Sequence, residues 1–524
     1  MIESLSLANY KAFKNATIPI KPLTILLGAN SVGKSSVVQM LMLMHQTAES
    51  KNNNYLSALK IYGNYVNAGA CENLFKNKET DRPLHIDVEF HFDKLSDQLK
   101  ELKSEYIDLF TRLLFLNMTQ ESFAYKNLLN AHTSLNTEKK FKTYLTKFII
   151  KIFQSEDVLQ NSFASYYISN LFAIPKSEIK NISKDKLLDT YRVLNTLSEL
   201  PLSIIKLSYM LIENNGTLKI SGLGISVGNI SIININTIDE TVSSDLKQFS
   251  QSEKGTIIEN FKSDCTIFDC FITEPNKDLN KTVSLYYIHQ VSQIILSEFR
   301  KCCNTNQINY VSPLRAHPKR YYMLDKANTT ISLNTLDGDE ITEVLKENKE
   351  VKNSVNSWFN KFDLRIDVNK FKEVVHHLNV TQNNLKLDIT DVGFGISQVL
   401  PIIIQGFLSP QKSLTIIEQP EIHLHPTMQA DLGDLFIDIV QKKQKKLIIE
   451  THSEYLLRRI RRRISEGKIE AKDVSICLFQ PQKDGTGTVV EILNIGEKGS
   501  FTWPKDFYGG ELYNDTIEFI KNQS

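Results

Sequence analysis

Several things are scarce in this sequence, and each scarcity narrows what the protein can do. Its six cysteines (Cys71, Cys265, Cys270, Cys302, Cys303 and Cys477) are scattered, none stands in a CxxC pair, and no histidine cluster completes a zinc site. Reduced thiols in a cytosolic protein are the simplest reading. There is no surplus of charge: 61 Lys and Arg against 60 Asp and Glu leave a net +1. Bulk electrostatics therefore give no reason to expect a nucleic acid or an acidic membrane as partner, and any such contact needs a local patch. The opening "MIESLSLANYKAFKN" alternates apolar and polar residues and lacks the run of a secretion signal. The longest apolar stretch, around "VLPIIIQGFL", is too short to span a bilayer, so no membrane partner and a cytoplasmic location are expected. No internal repeat is visible, and no heptad is sustained over many turns, which argues against a long coiled-coil arm.

What is present is a soluble chain too long for one small domain. A length of 524 residues implies two or three lobes, and 41% hydrophobic with 23% charged residues fits a globular fold. Ile2, Leu5 and Leu7 alternate as in a strand, and "LTILL" (Leu23 to Leu27) is a buried-strand run. "SSVVQMLMLMHQ" is apolar nearly all round, as in a buried helix, and "PLHIDVEFHF" alternates like a strand. From about Leu95 to Asn214 the pattern turns helical, with Pro175 and Pro201 as helix boundaries. "TLKISGLGISVGNISIININTI" returns to short strands, and "NKTVSLYYIHQVSQIILSEFRKCC" reads as a helix with Asn280 as N-cap. A second strand-rich block follows, with the buried-strand runs "LTIIE" and "KLIIETH". The expected division is a first lobe segment over 1–94, an insertion over 95–305 that is helical and then mixed α/β, a connecting segment over 306–375, a second lobe segment over 376–480 and a C-terminal extension over 481–524.

"GANSVGKSS" begins at Gly28 and matches G-x-x-x-x-G-K-[ST]. A buried strand precedes it and a helix follows, which is the context a phosphate loop needs. Backbone N–H groups from Ala29 through Asn30, Ser31, Val32 and Gly33 to Lys34 would wrap a β-phosphate at the helix N-terminus, with Gly28 permitting the turn and Ser36 continuing the helix. Lys34 would reach the β- and γ-phosphates, and Ser35 would ligate Mg²⁺. ATP and Mg²⁺ are the expected ligands.

Three further segments bear on the site. "DVGFGISQVLP" (Asp391 to Pro401) places a glycine turn, Ser397 and Gln398 at the start of an apolar helix; a plain N-cap at Ser397 is the competing reading. "LTIIEQPEIHLHP" ends a buried strand at Glu418, whose carboxylate suits a Mg²⁺ hydration shell, and Pro420 then breaks the strand. His423 and His425 fit packing and hydrogen bonding better than metal ligation, for which no further partners stand out. "KLIIETHSEYLL" ends a second buried strand at Glu450 and puts His452 in the loop, where ligands meet the carboxyl edge of a parallel sheet.

Phosphate loop, glycine turn, strand-end acid and histidine resemble, in that order, the head of an ABC-type P-loop ATPase. The resemblance covers roughly Met1 to Phe92 and His376 to Gln480. The sequence resembles prokaryotic members of the SMC and overcoming-lysogenisation-defect-like class of AAA ATPases, which includes Septu-type antiphage ATPases. The resemblance implies an α/β fold: an ABC-type head with a parallel-sheet core split by a large, mainly helical insertion. It also implies that Gly395, Ser397 and Gln398 meet the γ-phosphate held by an opposing subunit, that Glu418 and His452 are catalytic, and that Ser35 and Glu418 hold the metal. "LANYKAFKN" looks like the N-terminal strand of the class, where an aromatic can lie near the adenine, and "FTWPKDFYGGEL" looks like its short C-terminal extension. Implied partners are a second copy of the chain and a separate effector such as an HNH-type nuclease, in antiphage defence. The alternatives are a DNA repair or chromosome-maintenance ATPase and a non-hydrolysing ATP sensor.

One letter departs from the pattern. The class ends this strand with two acids, the second acting as general base, and here that position is Gln419. An amide takes no proton at neutral pH, although it can orient a water. Losing a positioned base costs about 10²- to 10⁴-fold, so slow turnover is expected, with Glu421 and His452 as substitutes. Two basic segments complete the inventory. In "VSPLRAHPKRYY", Arg315 or Arg320 could meet a phosphate or a neighbouring subunit, or lie in a solvated loop. In "LLRRIRRRISEGK", Arg458, Arg459, Arg461, Arg462 and Arg463 form a broad basic helix face, open either to nucleic acid or an acidic partner, or simply to solvent.

Overall fold

The computed structural model describes residues 1–50, 57–117, 139, 141–142, 184–199, 204–270, 283–323, 340–371, 375–482, 485–501 and 517–523. Pro175, Pro201, Asn280 and the Trp503–Pro504 tail lie outside the described residues. The chain forms two compact units, one from Met1–Lys51, Lys60–Glu79 and Lys301–Ser524, the other from Asn52–Leu59 and Thr80–Arg300.

The first unit opens with strands β1 (Ile2–Tyr10) and β2 (Phe13–Pro19), paired antiparallel. Strand β3 (Leu23–Gly28) is buried at every position, and helix α1 (Lys34–Ala48) follows the loop after it. The second unit contains β4 (Leu84–His91), whose side chains alternate between buried and half-buried as the sequence alternates. Its helices α2 (Leu95–Asn117) and α3 (Lys184–Glu199) precede β5 (Ile204–Asn214), β6 (Thr217–Val227), β7 (Ile230–Asn236) and β8 (Thr241–Ser243). These strands form an antiparallel sheet in the order β8-β7-β6-β5-β4. Asn215 and Gly216, with φ of 51° and 76°, make the two-residue turn between β5 and β6, a conformation Asn-Gly favours. Helices α4 (Gln251–Glu259) and α5 (Val283–Cys302) end this stretch.

The chain then returns to the first unit with β9 (Ile308–Val311). A small sheet follows, in which β10 (Tyr322–Met323) and β11 (Leu364–Lys370) flank β12 (Val375–Gln382), with β13 (Leu385–Asp388) also paired to β12. Helices α6 (Glu340–Glu347) and α7 (Lys349–Phe359) lie between its strands in sequence. Next come α8 (Phe394–Leu408), β14 (Leu414–Glu418), α9 (Pro426–Lys443), β15 (Lys446–Glu450), α10 (Glu454–Ser465), β16 (Val474–Pro481) and β17 (Thr488–Ile492).

The main sheet of this unit runs β1-β2-β17-β16-β3-β15-β14-β9, and β16, β3, β15, β14 and β9 are mutually parallel. Parallel strands are covered on both faces, which is why β3, β14 and β15 read as unbroken apolar runs. Ile403, Phe436, Leu456 and Ile460 from α8, α9 and α10 pack with Ile25, Ile417 and Ile449 from the strands in one core. The fold is α/β, with a parallel-sheet core encoded by both ends of the chain and interrupted by a long insertion. Because β15 lies between β3 and β14, the phosphate-loop strand and the two acid-bearing strands end side by side.

Candidate nucleotide site

The loop after β3 requires its glycines. Gly28 has φ +145°, and a Cβ there would stand 2.5 Å from the Phe479 carbonyl oxygen. Gly33 has φ +94° and N-caps α1 without a side-chain bond, and the first turn of α1 carries no acid. The Ser36 N–H bonds back to the Gly33 carbonyl at 3.0 Å, and the N–H groups at a helix end that lack an intrahelical acceptor suit an anion. Lys34 is almost fully buried and folds back on the loop, donating to the carbonyls of Gly28 at 3.0 Å and Ala29 at 2.7 Å. Burial lowers its pKa, opposed by the charges of Glu450 and Glu421.

The Ser35 hydroxyl donates to Glu450, at 3.3 Å from one carboxylate oxygen and 3.2 Å from the other. Lys34 Nζ is 3.9 Å from the same carboxylate. Glu418, expected beside Ser35, is the register partner of Glu450 one strand further out. Its Oε1 accepts the Tyr310 hydroxyl at 2.6 Å from β9. Both carboxyls are held above their usual range. Burial raises Glu418, with the Tyr310 hydrogen bond acting against it. Burial and then the Glu418 charge raise Glu450 to about 7, against the pull of Lys34 and Ser35.

Gln419 sits in the left-handed region at φ 45°, so the chain leaves β14 in a sharp turn. Two contacts fix this turn. The Gln419 N–H donates to the Glu450 carbonyl at 2.7 Å, and Arg315 Nη2 donates to the carbonyls of Glu418 at 2.7 Å and Gln419 at 3.1 Å. Arg315 is buried, and burial lowers its pKa to about 10 despite Glu421, Tyr310 and Glu418 nearby. Its guanidinium therefore serves this turn and does not lie in a solvated loop. Arg320 instead forms an exposed pair with Asp391 at 2.8 Å.

Glu421, considered as a substitute base, is committed elsewhere. Its carboxylate accepts the His452 N–H at 2.6 Å and the Thr451 hydroxyl at 2.8 Å, tying the turn after β14 to the loop after β15. Burial raises its pKa, against those hydrogen bonds. His452 is half-buried, and burial followed by the Lys34 charge lowers its pKa, so its imidazole is neutral near pH 7. Among the described residues its Nε2 has no hydrogen-bond partner.

The glycine turn packs onto the segment after β14. A Cβ at Gly395 would lie 2.6 Å from the His423 carbonyl oxygen. The Phe394 ring stands 5.0 Å from His423 and 5.2 Å from His317. Helix α8 starts at Phe394 with Gly393 as N-cap, so Ser397 is not the cap; its hydroxyl donates to the Phe394 carbonyl at 2.7 Å. Ser397 and Gln398 are buried, whereas Gly393 and Phe394 are exposed. His425 N-caps α9, accepting the Thr427 N–H at 3.4 Å. Both histidines thus have structural contacts.

With this geometry in view, comparison with known proteins decides the family. The family model described as AAA ATPase domain matches residues 1–457, which include the loop, both strand-end acids and His452. The chain belongs to the AAA ATPase domain family. Among curated proteins nothing matches it. Similar solved structures include an SMC head domain from Thermotoga maritima, at 6% identity and TM-score 0.35, covering 94% of this chain and 99% of that one. An SmcHead bound to the C-winged helix domain of ScpA gives 9% identity and TM-score 0.36, covering 95% and 98%. An Smc head domain with an extended coiled coil, bound to the C-terminal domain of ScpA derived from Pyrococcus furiosus, gives 11% identity and TM-score 0.32, covering 99% of both chains. At these TM-scores the family match alone places the chain.

The arginines of the basic helix are paired within the chain, Arg458 and Arg462 in exposed pairs. Arg459 pairs with Asp431 at 2.9 Å and Asp434 at 2.6 Å, and Arg463 pairs with Asp434 at 2.6 Å and with Glu466. Arg458 binds Glu454, Arg462 binds Glu466 at 2.7 Å, and Arg461 donates to the Gly499 carbonyl at 3.0 Å and lies over the Phe501 ring. All five arginines therefore have partners within the chain. None of the six cysteines forms a disulfide, and among the described residues no helix is long and apolar enough to cross a membrane.

Sequence reasoning left Glu450, Tyr310 and the turn-holding task of Arg315 out of the site. A signal for Glu450 was present: "LTIIE" and "KLIIE" are both five-residue buried strands that end in Glu, so pairing them in register sets the acids side by side.

Proposed function

We propose that this ATPase is a slow nucleotide switch that binds Mg-ATP at Gly28–Ser36. One observation carries the reading: Lys34 and Ser35 meet the Glu450 carboxylate at the carboxyl edge of a single parallel sheet, with Glu418 at the end of the next strand. The donors fit Mg²⁺. A hydroxyl and carboxylate oxygens are hard ligands, and burial raises the pKa of Glu418 and Glu450, with the Glu418 charge adding to it at Glu450, a cost that a cation relieves. When bound, the metal supplies charge neutralisation for the transferring phosphoryl group.

The chain's own residues supply the rest. The loop amides and Lys34 bind phosphate, and in doing so Lys34 exchanges the Gly28 and Ala29 carbonyls for phosphate oxygens. Neutral His452 offers a free Nε2 to a water or a phosphate oxygen. Gln419 orients water without taking its proton, which makes turnover slow. Two copies close around nucleotide, the glycine turn of one facing the loop of the other. The exposure of Gly393 and Phe394 supports backbone contact there, in preference to the buried Ser397 and Gln398 side chains. ATP-driven closure and release then gate a separate effector, such as a nuclease, in antiphage defence. A chromosome-maintenance task is compatible with the family, but the neutralised arginines of α10 do not favour it.

Steady-state phosphate release tests the reading. The wild type should turn over slowly, Lys34→Ala should fall to background, and Gln419→Glu should rise by about 10². Release that survives Lys34→Ala overturns the site. A flat rate in Gln419→Glu shows that water is positioned elsewhere.

A further inference from the structure

We propose that Glu450 is the carboxylate that faces the divalent cation beside Ser35, with Glu418 behind it as the second carboxylate of the same site. The proposal rests on the Mg-nucleotide reading above and assigns which of its two carboxylates faces the cation. Its basis is position. Strand β15 is the immediate neighbour of the loop strand β3, and β14 lies one strand further away. Strands in a sheet are about 4.8 Å apart, so an acid at the end of β15 is closer to the loop than its register partner on β14 by about that distance. The side chains agree with the backbone. Both oxygens of Glu450 are within reach of the Ser35 hydroxyl, at 3.3 and 3.2 Å, and Lys34 is 3.9 Å away. Glu418 is held from its far side by Tyr310 at 2.6 Å.

The donor count also suits Mg²⁺. Among the described residues no group of three or more His, Cys, Asp or Glu could hold a metal. Mg²⁺ needs no such cage, because it takes one or two carboxylates with phosphate oxygens and water. The missing acid at Gln419 is thus offset across the sheet: the site still has two carboxylates, one from each strand end. In this arrangement both strand-end acids serve the cation, which leaves the water to Gln419 and His452.

Metal affinity separates this arrangement from its alternatives. The full-length chain is loaded with a non-hydrolysable ATP analogue, and Mn²⁺ binding is measured by electron paramagnetic resonance for wild type, Glu450→Gln, Glu418→Gln and Glu450→Asp. Analogue affinity in EDTA and metal-free melting temperature are measured alongside. Glu450→Gln should weaken Mn²⁺ by about tenfold or more with analogue affinity in EDTA retained, and Glu418→Gln should weaken it less. Glu450→Asp keeps the charge but loses one methylene of reach, and should fall between wild type and Glu450→Gln. If Glu450→Gln does not fold, Glu450→Asp carries the test, and wild-type Mn²⁺ affinity in it overturns the proposal. The proposal also falls if Glu450→Gln binds Mn²⁺ as wild type does, or if Glu418→Gln loses more. A wild type that binds no analogue at all defeats the nucleotide reading instead.

Discussion

Gln419 is held by its backbone on both sides, by the Glu450 carbonyl and by Arg315. Its amide is therefore placed by the fold, and the chemistry at that position depends on which side chain the clamp presents. The sequence singles out Lys34, Ser35, Glu418 and His452 because each belongs to a short motif whose spacing is local. It does not single out Glu450, because its partnership with Glu418 depends on the register of two strands joined by a whole helix. Arg315 was ambiguous for a similar reason: a basic residue between two prolines looks the same whether its guanidinium meets solvent or two backbone carbonyls. Lys445 offers a test at this scale. It is buried and donates to the carbonyls of Gly406 at 2.9 Å and Phe407 at 3.3 Å at the end of α8. Burial, and then the Lys443 charge, lower its pKa from 10.5 to about 7, against the pull of Glu350. Between those values the unfolded chain holds a proton the folded chain has released, so stability rises with pH from about 7 to 10.5. Below 7 the cost of the buried ammonium is present in full. Denaturant unfolding of wild type should therefore gain on Lys445→Met as pH rises, by up to about 1.4 kcal/mol per pH unit. Parallel stabilities across that range contradict the assignment.

At the scale of elements, the parallel strands were legible because burial on both faces writes continuous apolar runs. The buried face of α10 was equally plain, with Leu456, Leu457, Ile460 and Ile464 inward. Its polar face was not, since Asp431 and Asp434 lie on α9 and nothing local in "LLRRIRRRISEGK" points to them. Helix α8 shows a boundary the sequence left open. It begins at Phe394 with Gly393 as N-cap, Gly395 in its first turn lies close against the His423 carbonyl, and Pro401, inside it, cannot donate to the Ser397 carbonyl. Removing an arginine should act on stability and not on recognition. Arg459→Ala leaves half-buried Asp431 without its partner and Asp434 with Arg463 alone, and should cost about 1–2 kcal/mol, read as a lower midpoint in chemical denaturation. Retention of the variant on a DNA or RNA column should match wild type. A stable variant that loses nucleic acid would show the face to be an interface.

At the scale of the molecule, the sequence reads as one lobe interrupted after residue 94, whereas the first compact unit comprises Met1–Lys51, Lys60–Glu79 and Lys301–Ser524. Alternation in β4 identifies a strand but not the sheet it joins, and the structure assigns that strand to the second unit. The composition of the insertion says nothing of its task, because packing residues carry no record of what they support. The central claim concerns the other unit: both ends of the chain build one Mg-nucleotide site. Calorimetric titration of the full-length protein with Mg-ATP tests it most directly. One nucleotide per chain should bind to wild type, and Lys34→Ala should bind about 10²-fold more weakly, a loss of about 2.7 kcal/mol. Equal affinity in the two proteins, or no binding by either, would contradict the account.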